Sequence, residues 1–335
     1  GYKMKRSGYT ISTFVFNFFE LGVFINVLLH WGLAEAILVG LYCKIGKVLH
    51  ESLHIGNSRQ WALFLIAVMG LAVLFVGQFV VICIVSMAIE IALMKLRMLY
   101  KKRLTSWKSQ KVFARMIAFF LAPFFEFWLL ALFAVFLVAD IVRCEGNEKE
   151  EFPGIFLPQD KKFTKQYWMM FLHHAHYFSY CYIIPFLLIR QFNMALPLVG
   201  ILFFAGWSAY NIYESFVPSR ASYFLAGHII AALGVAIIWF LGNNLFLCLL
   251  GWFFTGLGGG TVYMIKGLMY GSKSIHTSSS KAVESYGHVL GLAVSFVGVV
   301  FHNTGILYAS SIFFAIITIV LSASLPKEDK IYASD

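Results

Sequence analysis

Long uninterrupted apolar runs, separated by short polar turns, occupy almost the whole chain. Apolar and polar residues do not alternate within a run, so the pattern predicts helices rather than strands, and a helix needs roughly 20 apolar residues to cross a bilayer. The runs fall in pairs. Tyr9–Val27 and Leu33–Val48 join at His30-Trp31-Gly32, and Trp61–Val76 and Phe79–Leu99 turn near Gly77-Gln78. Tyr167–Ile189 and Leu196–Phe216 turn at Gln191-Phe192-Asn193, and Ala221–Leu241 and Leu245–Gly267 turn at Gly242-Asn243-Asn244. Ala282–Phe301 and Ile306–Leu325 turn at His302-Asn303-Thr304-Gly305. Val112–Val142 is short for two crossings and long for one.

Lysine and arginine gather between the pairs, in residues 44–59, 99–111, 143–166, 217–220 and 270–281 and at both termini; apart from Arg190, the turns within pairs are nearly free of them. Because the positive-inside bias counts Lys and Arg, these loops and both termini are expected in the cytoplasm. Parity then requires an even number of crossings between the loops flanking Val112–Val142. Two short crossings, turning near Phe127-Trp128, are favoured over one long tilted helix, and the total is about twelve. The polar stretch 144–166 divides an N-terminal six-helix bundle (1–143) from a C-terminal one (167–335). It reads as a solvated linker, with a docking site for a membrane-protein partner as the alternative.

Composition agrees. Hydrophobic residues make up 60% of the 335, mean hydropathy is +0.79 and charged residues are 13%, against about 25% in soluble domains. The implied class is an all-α polytopic protein of the cell membrane, with the lipid bilayer as its first partner. The net charge of +10 is read as loops facing anionic lipid, not as an affinity for nucleic acid. Cys43, Cys83, Cys144, Cys181 and Cys248 are scattered and suggest neither a disulfide framework nor a metal motif.

Two six-helix halves, a polar central loop and cytoplasmic termini resemble the major facilitator superfamily of secondary transporters. Gly256-Leu257-Gly258-Gly259-Gly260-Thr261-Val262-Tyr263 looks like that family's glycine-rich tenth helix, and Glu284-Ser285-Tyr286-Gly287-His288-Val289-Leu290-Gly291 is similar to the start of its eleventh. The segment Gly40-Leu41-Tyr42-Cys43-Lys44-Ile45-Gly46-Lys47 keeps the glycines and bases of the family's signature loop but lacks its Asp, and Val217-Pro218-Ser219-Arg220 keeps only the base. The resemblance implies alternating access to a mid-membrane site and a small-molecule substrate.

An ionisable side chain at mid-bilayer costs roughly 2.5–3.5 kcal/mol on insertion scales, so such groups mark cavities or partners. On the first helix Asn17 and Glu20 share a face. Arg115 and Glu126, eleven residues apart, lie on almost one face of the fifth, with Glu126 expected deep, Arg115 snorkelling or needing a partner elsewhere, and Glu90 deep on the fourth. His173, His176, Tyr177 and Tyr180 form one stripe of the seventh helix, with His174 beside it. Tyr210 and Asn211, with Trp207 and Glu214, repeat that spacing on the eighth, and Glu284, His288 and Ser295 share a face of the eleventh. Lys266 reads as a snorkelling base and His228 as a satisfied packing residue. The expected cavity set is Asn17, Glu20, Glu126, His173, His176, Tyr177, Tyr180, Tyr210, Asn211 and His288, with Glu20 and Glu126 as proton-coupling carboxylates and no metal site.

No G-x-x-x-x-G-K-[ST] occurs, so ATP is not expected as a direct energy source, and no cofactor or enzyme activity is expected. The leading expectation is a secondary transporter of a small solute, with the abundant aromatics leaning toward an amphipathic one. A non-transporting accessory or sensor subunit of the same layout comes second, and an intramembrane lipid enzyme using the His173/His174/His176 cluster comes last.

Overall fold

The structure, a computed structural model, describes residues 2–52, 58–75, 77–101, 108–143, 161–270 and 278–325. Among them every regular element is helical. Helices α1 (Tyr2–His30), α2 (Leu33–Ser52), α3 (Ser58–Phe75) and α4 (Phe79–Lys101) follow the first four apolar runs. The ambiguous fifth stretch is two helices, α5 (Lys108–Leu121) and α6 (Phe127–Arg143), separated by a 3-10 turn at Ala122–Phe124. Pro123 lies in that turn, where its missing N–H and fixed φ are tolerated.

Beyond the central loop, of which 144–160 lie outside the described residues, α7 spans Thr164–Tyr180 and α8 Ile183–Phe186. A π-helical turn, Leu187–Gln191, follows Pro185. The next runs are also broken: α9 (Leu196–Tyr210) passes into α10 (Ile212–Phe216), and α12 (Leu245–Gly259) passes into α13 (Val262–Tyr270) at Gly260-Thr261. Helices α11 (Ala221–Leu241), α14 (Ser278–Val300) and α15 (Gly305–Ala323) are continuous. Three of the expected turns carry left-handed backbone, at Gly32 (φ 126°), Asn193 (47°) and His302 (52°).

Among the described residues, six stretches are long and apolar enough to cross a membrane: Thr10–His30, Phe79–Leu96, Ala221–Leu241, Leu245–Met269, Ser280–Val300 and Gly305–Ala323. Leu74, Val80, Trp128, Phe136, Phe240 and Phe301 are all more than half exposed. Apolar surface of that extent suits lipid rather than water.

The chain forms two compact units. Unit 1 holds Gly1–Ile155 with Ala195–Ile201; unit 2 holds Phe156–Met194 with Leu202–Asp335. In unit 1, α1 is the central rod, packing on α2, α4, α5 and α6. Its core is phenylalanine-rich: Phe18, Phe125 and Phe127 meet edge-on or tilted at 5.2–5.3 Å, and such pairs add about 0.5–1.5 kcal/mol beyond buried area. In unit 2, α7 is central, packed on α12, α13, α14 and α15. The α11–α12 pair is drawn together by glycines seven apart on each helix. Gly234 and Gly251 face each other, as do Gly227 and Gly258, so a Cβ at Gly258 would clash with the Gly227 carbonyl oxygen. Small residues at a crossing are a main source of helix attraction where lipid removes the hydrophobic drive.

Candidate functional site

Two sets of buried polar side chains interrupt the apolar interior, one in each unit. In unit 1, Lys44 forms an ion pair with Glu20 across the α1–α2 contact. Lys44 keeps only 3% of its side-chain exposure and Glu20 keeps 19%. Lys44 also interacts electrostatically with Glu90, which is fully buried on α4. The sequence placed Lys44 in a basic loop. The structure extends α2 to Ser52 and puts Lys44 inside it, because two buried carboxylates supply the charge that an apolar environment withholds. Asn17, one turn before Glu20, accepts a hydrogen bond from Arg115 Nε at 3.2 Å and donates to the Thr13 carbonyl at 2.7 Å. Arg115 thus finds its partner on α1 instead of extending to the surface.

Glu126 does not share this environment. It lies between the 3-10 turn and α6 and is exposed, so its expected deep position in the fifth helix is corrected. The helix ends before reaching it, and Glu126 contributes its carbonyl to the first turn of α6 through Leu129 and Leu130 N–H.

Unit 2 gathers its polar groups around α7. His173, His176, Tyr177 and Tyr180 are all essentially inaccessible. His228 Nδ1 lies 3.0 Å from the Phe224 carbonyl, which only accepts, so that nitrogen carries the hydrogen. In the neutral ring Nε2 is then an acceptor, and His173 Nδ1 donates to it at 2.8 Å. His173 Nε2 is left to accept from the Tyr210 hydroxyl at 2.6 Å. One directional chain therefore runs Tyr210 → His173 → His228 → Phe224 carbonyl, with the tautomers assigned by the carbonyl at its end. It sits on a helix break: Tyr210 and His173 atoms would meet a Cβ on Gly259 at 3.2–3.3 Å, and Thr261, in the break after α12, is 3.3 Å from His228 Nδ1.

His176 is fixed differently. Its Nδ1 donates to the Ser311 carbonyl at 2.9 Å, while Ser311 Oγ donates to the His176 carbonyl at 2.8 Å, pinning α7 to α15. His176 Nε2 and the Tyr177 hydroxyl find no partner among the described residues. Aromatic rings surround Tyr177, with Trp207, Tyr210 and Trp252 at 5.5–5.8 Å. Asn211 does not join this chain; it stands at the α9–α10 break, its amide donating to the Trp207 carbonyl at 2.9 Å.

On the other side of α7, His288 Nε2 is 3.1 Å from His174 Nδ1, and His174 Nε2 is 3.9 Å from Glu284 Oε1. Glu284 forms an ion pair with Lys266. Lys266 is therefore not a snorkelling base: it keeps 3% side-chain exposure, bound to a carboxylate from the next helix. Sequence spacing put Glu284 and His288 on one face, but pairing across helices to Lys266 and His174 carries no signal in a single sequence. The same holds for His173 with His228. Among the cavity residues expected from sequence, His173 and Tyr210 are brought into direct contact, and Asn17 and Glu20 lie on one helix of unit 1.

No family model and no curated protein matches the sequence. Solved structures do match. The chain is 12% identical to a bacterial metal transporter, with 97% of this chain and 98% of that one covered at a TM-score of 0.66. It is 9% identical to the nucleoside transporter NupG, with 96% and 98% covered at 0.64. A peptide transporter, POT, in complex with sulfate is 11% identical, with 95% and 93% covered at 0.61. At these identities the likeness concerns fold, and it extends over nearly the full length of each chain. The chain is a multi-pass membrane protein whose fold resembles that of the major facilitator superfamily transporters.

Proposed function

We propose that this protein is a secondary transporter that moves a small solute by alternating access, coupled to protons. In this reading twelve segments cross the membrane, 1–143 and 167–335 form the two bundles, and both termini are cytoplasmic. The observation that carries it is the Tyr210–His173–His228 chain: three polar side chains, hydrogen-bonded in one direction and buried inside apolar helices. Helix packing alone does not need such groups, and intramembrane ionisable residues usually mark substrate or proton pathways. Tyr210 donates only while His173 is neutral. A proton on His173 Nε2 turns the Tyr210 hydroxyl into an acceptor, so proton binding rewires the contact at a helix break. Glu20 and the cavity set without Glu126 are the proposed solute-facing groups.

The test is uptake into liposomes under an imposed pH gradient, read with a trapped pH dye and a panel of small labelled solutes. Wild-type protein should couple inward proton movement to at least one solute, and His173→Asn should lower the coupled rate by at least about tenfold. If His173→Asn retains wild-type rate and pH dependence, the histidine chain does not couple protons. If the wild type moves no solute, the accessory or sensor reading gains. The missing signature Asp, and the engagement of Lys44 in a buried ion pair, favour that reading.

Topology is separately testable. In a cysteine-free background, Asn303→Cys should react with an impermeant thiol reagent from outside, while Thr105→Cys and Ile275→Cys should react only after permeabilisation. External labelling at residue 105 or 275 contradicts the twelve-segment arrangement. Both positions lie outside the described residues.

A further inference from the structure

We propose that Lys266 is an anion-binding residue for which Glu284 is the built-in stand-in: a small organic anion displaces the Glu284 carboxylate from Lys266, and Glu284 takes up a proton as it leaves. The assignment rests on the transport reading above, whose substrate class it names.

Charge accounting within unit 2 carries the argument. Lys266 keeps 3% side-chain exposure, is held by Glu284 across α13 and α14, and lies 5.6 Å from the Tyr263 ring centre. Glu284 and His174 keep 13% and 11% of their side-chain exposure against 3% for Lys266, although Glu284 Oε1 and His174 Nε2 are themselves buried. Removing one member of a buried ion pair leaves an uncompensated buried charge, which is strongly unfavourable. Glu284 therefore leaves Lys266 only if another anion replaces it and its own charge is neutralised. The exchange balances: the Lys266–Glu284 pair plus one anion plus one proton becomes a Lys266–anion pair plus a protonated Glu284. Net charge in the site is unchanged, and one proton accompanies each anion.

The surroundings favour an anion over a cation. On α7, His174 lies 3.9 Å from Glu284, and His173 interacts electrostatically with Lys266. On α14, His288 is hydrogen-bonded to His174. Tyr263 flanks Lys266 on α13 itself, and α10 and α11 also pack against α13. Among these groups the carboxylate of Glu284 is the acid, and His174 Nε2, which faces it at 3.9 Å, is the nitrogen placed to present an N–H to an incoming carboxylate. Among the described residues no three His, Cys, Asp or Glu side chains are placed to hold a metal ion.

The test is thermal unfolding of the purified full chain in detergent, titrated with sodium lactate, sodium succinate or sodium sulfate at an ionic strength fixed with sodium chloride. Saturable stabilisation of the wild type by at least one of them is expected. Its half-saturating concentration should rise about tenfold per pH unit once Glu284 is ionised in the empty protein, since each anion brings one proton. In Glu284→Gln the competitor is gone, so half-saturation should fall at least about tenfold and lose its pH dependence. Lys266→Met/Glu284→Gln removes both charges, keeps the fold and should show no response. No stabilisation of the wild type by any of the three salts, or an equal response from the double variant, overturns the proposal. So does a wild-type affinity that is flat with pH. Gradient-driven uptake of a neutral or cationic solute without anion binding would sink this assignment and leave the transport reading standing. Anion binding without any transport would do the reverse.

Discussion

Lys44→Met should be among the most destabilising single substitutions in unit 1, lowering stability by about 3–5 kcal/mol, the usual cost of breaking a buried ion pair from one side. In thermal unfolding this corresponds to a fall on the order of 10 °C. Lys44 stands between Glu20 on α1 and Glu90 on α4, and it is the ammonium that permits two acids to be buried near each other. Without it the carboxylates repel, and each must take a proton or draw in water. Methionine matches the stem of lysine closely enough that lost packing contributes little. Lys44→Met/Glu20→Gln should therefore recover more than half of the loss, because the remaining Glu90 carries a single charge. A single variant that melts within about 2 °C of wild type would show that the pair contributes little. A double variant no better than the single one would place the damage in packing instead.

Gly258→Val is expected to have an effect at least as large. Its Cβ would lie far inside van der Waals contact of the Gly227 carbonyl oxygen and 2.7 Å from Ala231 N, and no side-chain rotation relieves a clash with backbone. The two helices would have to separate, opening the reciprocal Gly234–Gly251 contact as well. Overpacking costs typically 1–3 kcal/mol when side chains can yield, so a backbone obstruction should reach about 3 kcal/mol or more. Gly70→Val is the matched control: a Cβ there meets nothing within 4 Å. Size-exclusion profiles and melting temperatures should leave Gly70→Val near wild type and move Gly258→Val by on the order of 10 °C or into aggregate. Equal behaviour of the two variants would mean that the α11–α12 crossing is not held by close backbone approach.

Much of the fold was legible because lipid imposes a coarse rule: apolar runs of set length become helices, and polar breaks become turns. That rule located the turns at Gly32, Asn193 and His302, and parity divided Val112–Val142 into α5 and α6 although hydropathy alone could not. It misplaced Glu126 because the turn was expected after it, near Phe127-Trp128, whereas α5 ends at Leu121 and the chain breaks at Pro123. Lys44 and Lys266 were misread for a different reason. A lysine near the end of an apolar segment normally extends to the headgroups, and only a carboxylate from another helix changes that outcome. Those carboxylates, Glu20 and Glu284, are 24 and 18 residues away in sequence, and one sequence does not say which helices touch. The histidine stripe was visible as a 3.6-residue rhythm, but the hydrogen-bond direction set by the Phe224 carbonyl belongs entirely to the folded chain.

The bonds made by α7 also set an order of events during synthesis. His173 waits for His228, 55 residues later, and His176 waits for Ser311, 135 residues later. At roughly 5–20 residues per second, Ser311 is made about 7–27 s after His176. The α11–α12 hairpin has no such delay: its turn is three residues, Gly242–Asn244, its glycine contacts are local, and Thr255 bonds within its own helix at 2.8 Å. A nascent chain thus carries α7 with its imidazoles unmatched while the hairpin behind it closes at once. The central helix of unit 2 is the last to be completed, and a ribosome stalled before Ser311 would leave it in the membrane still dependent on water, lipid headgroups or a chaperone for its hydrogen bonds.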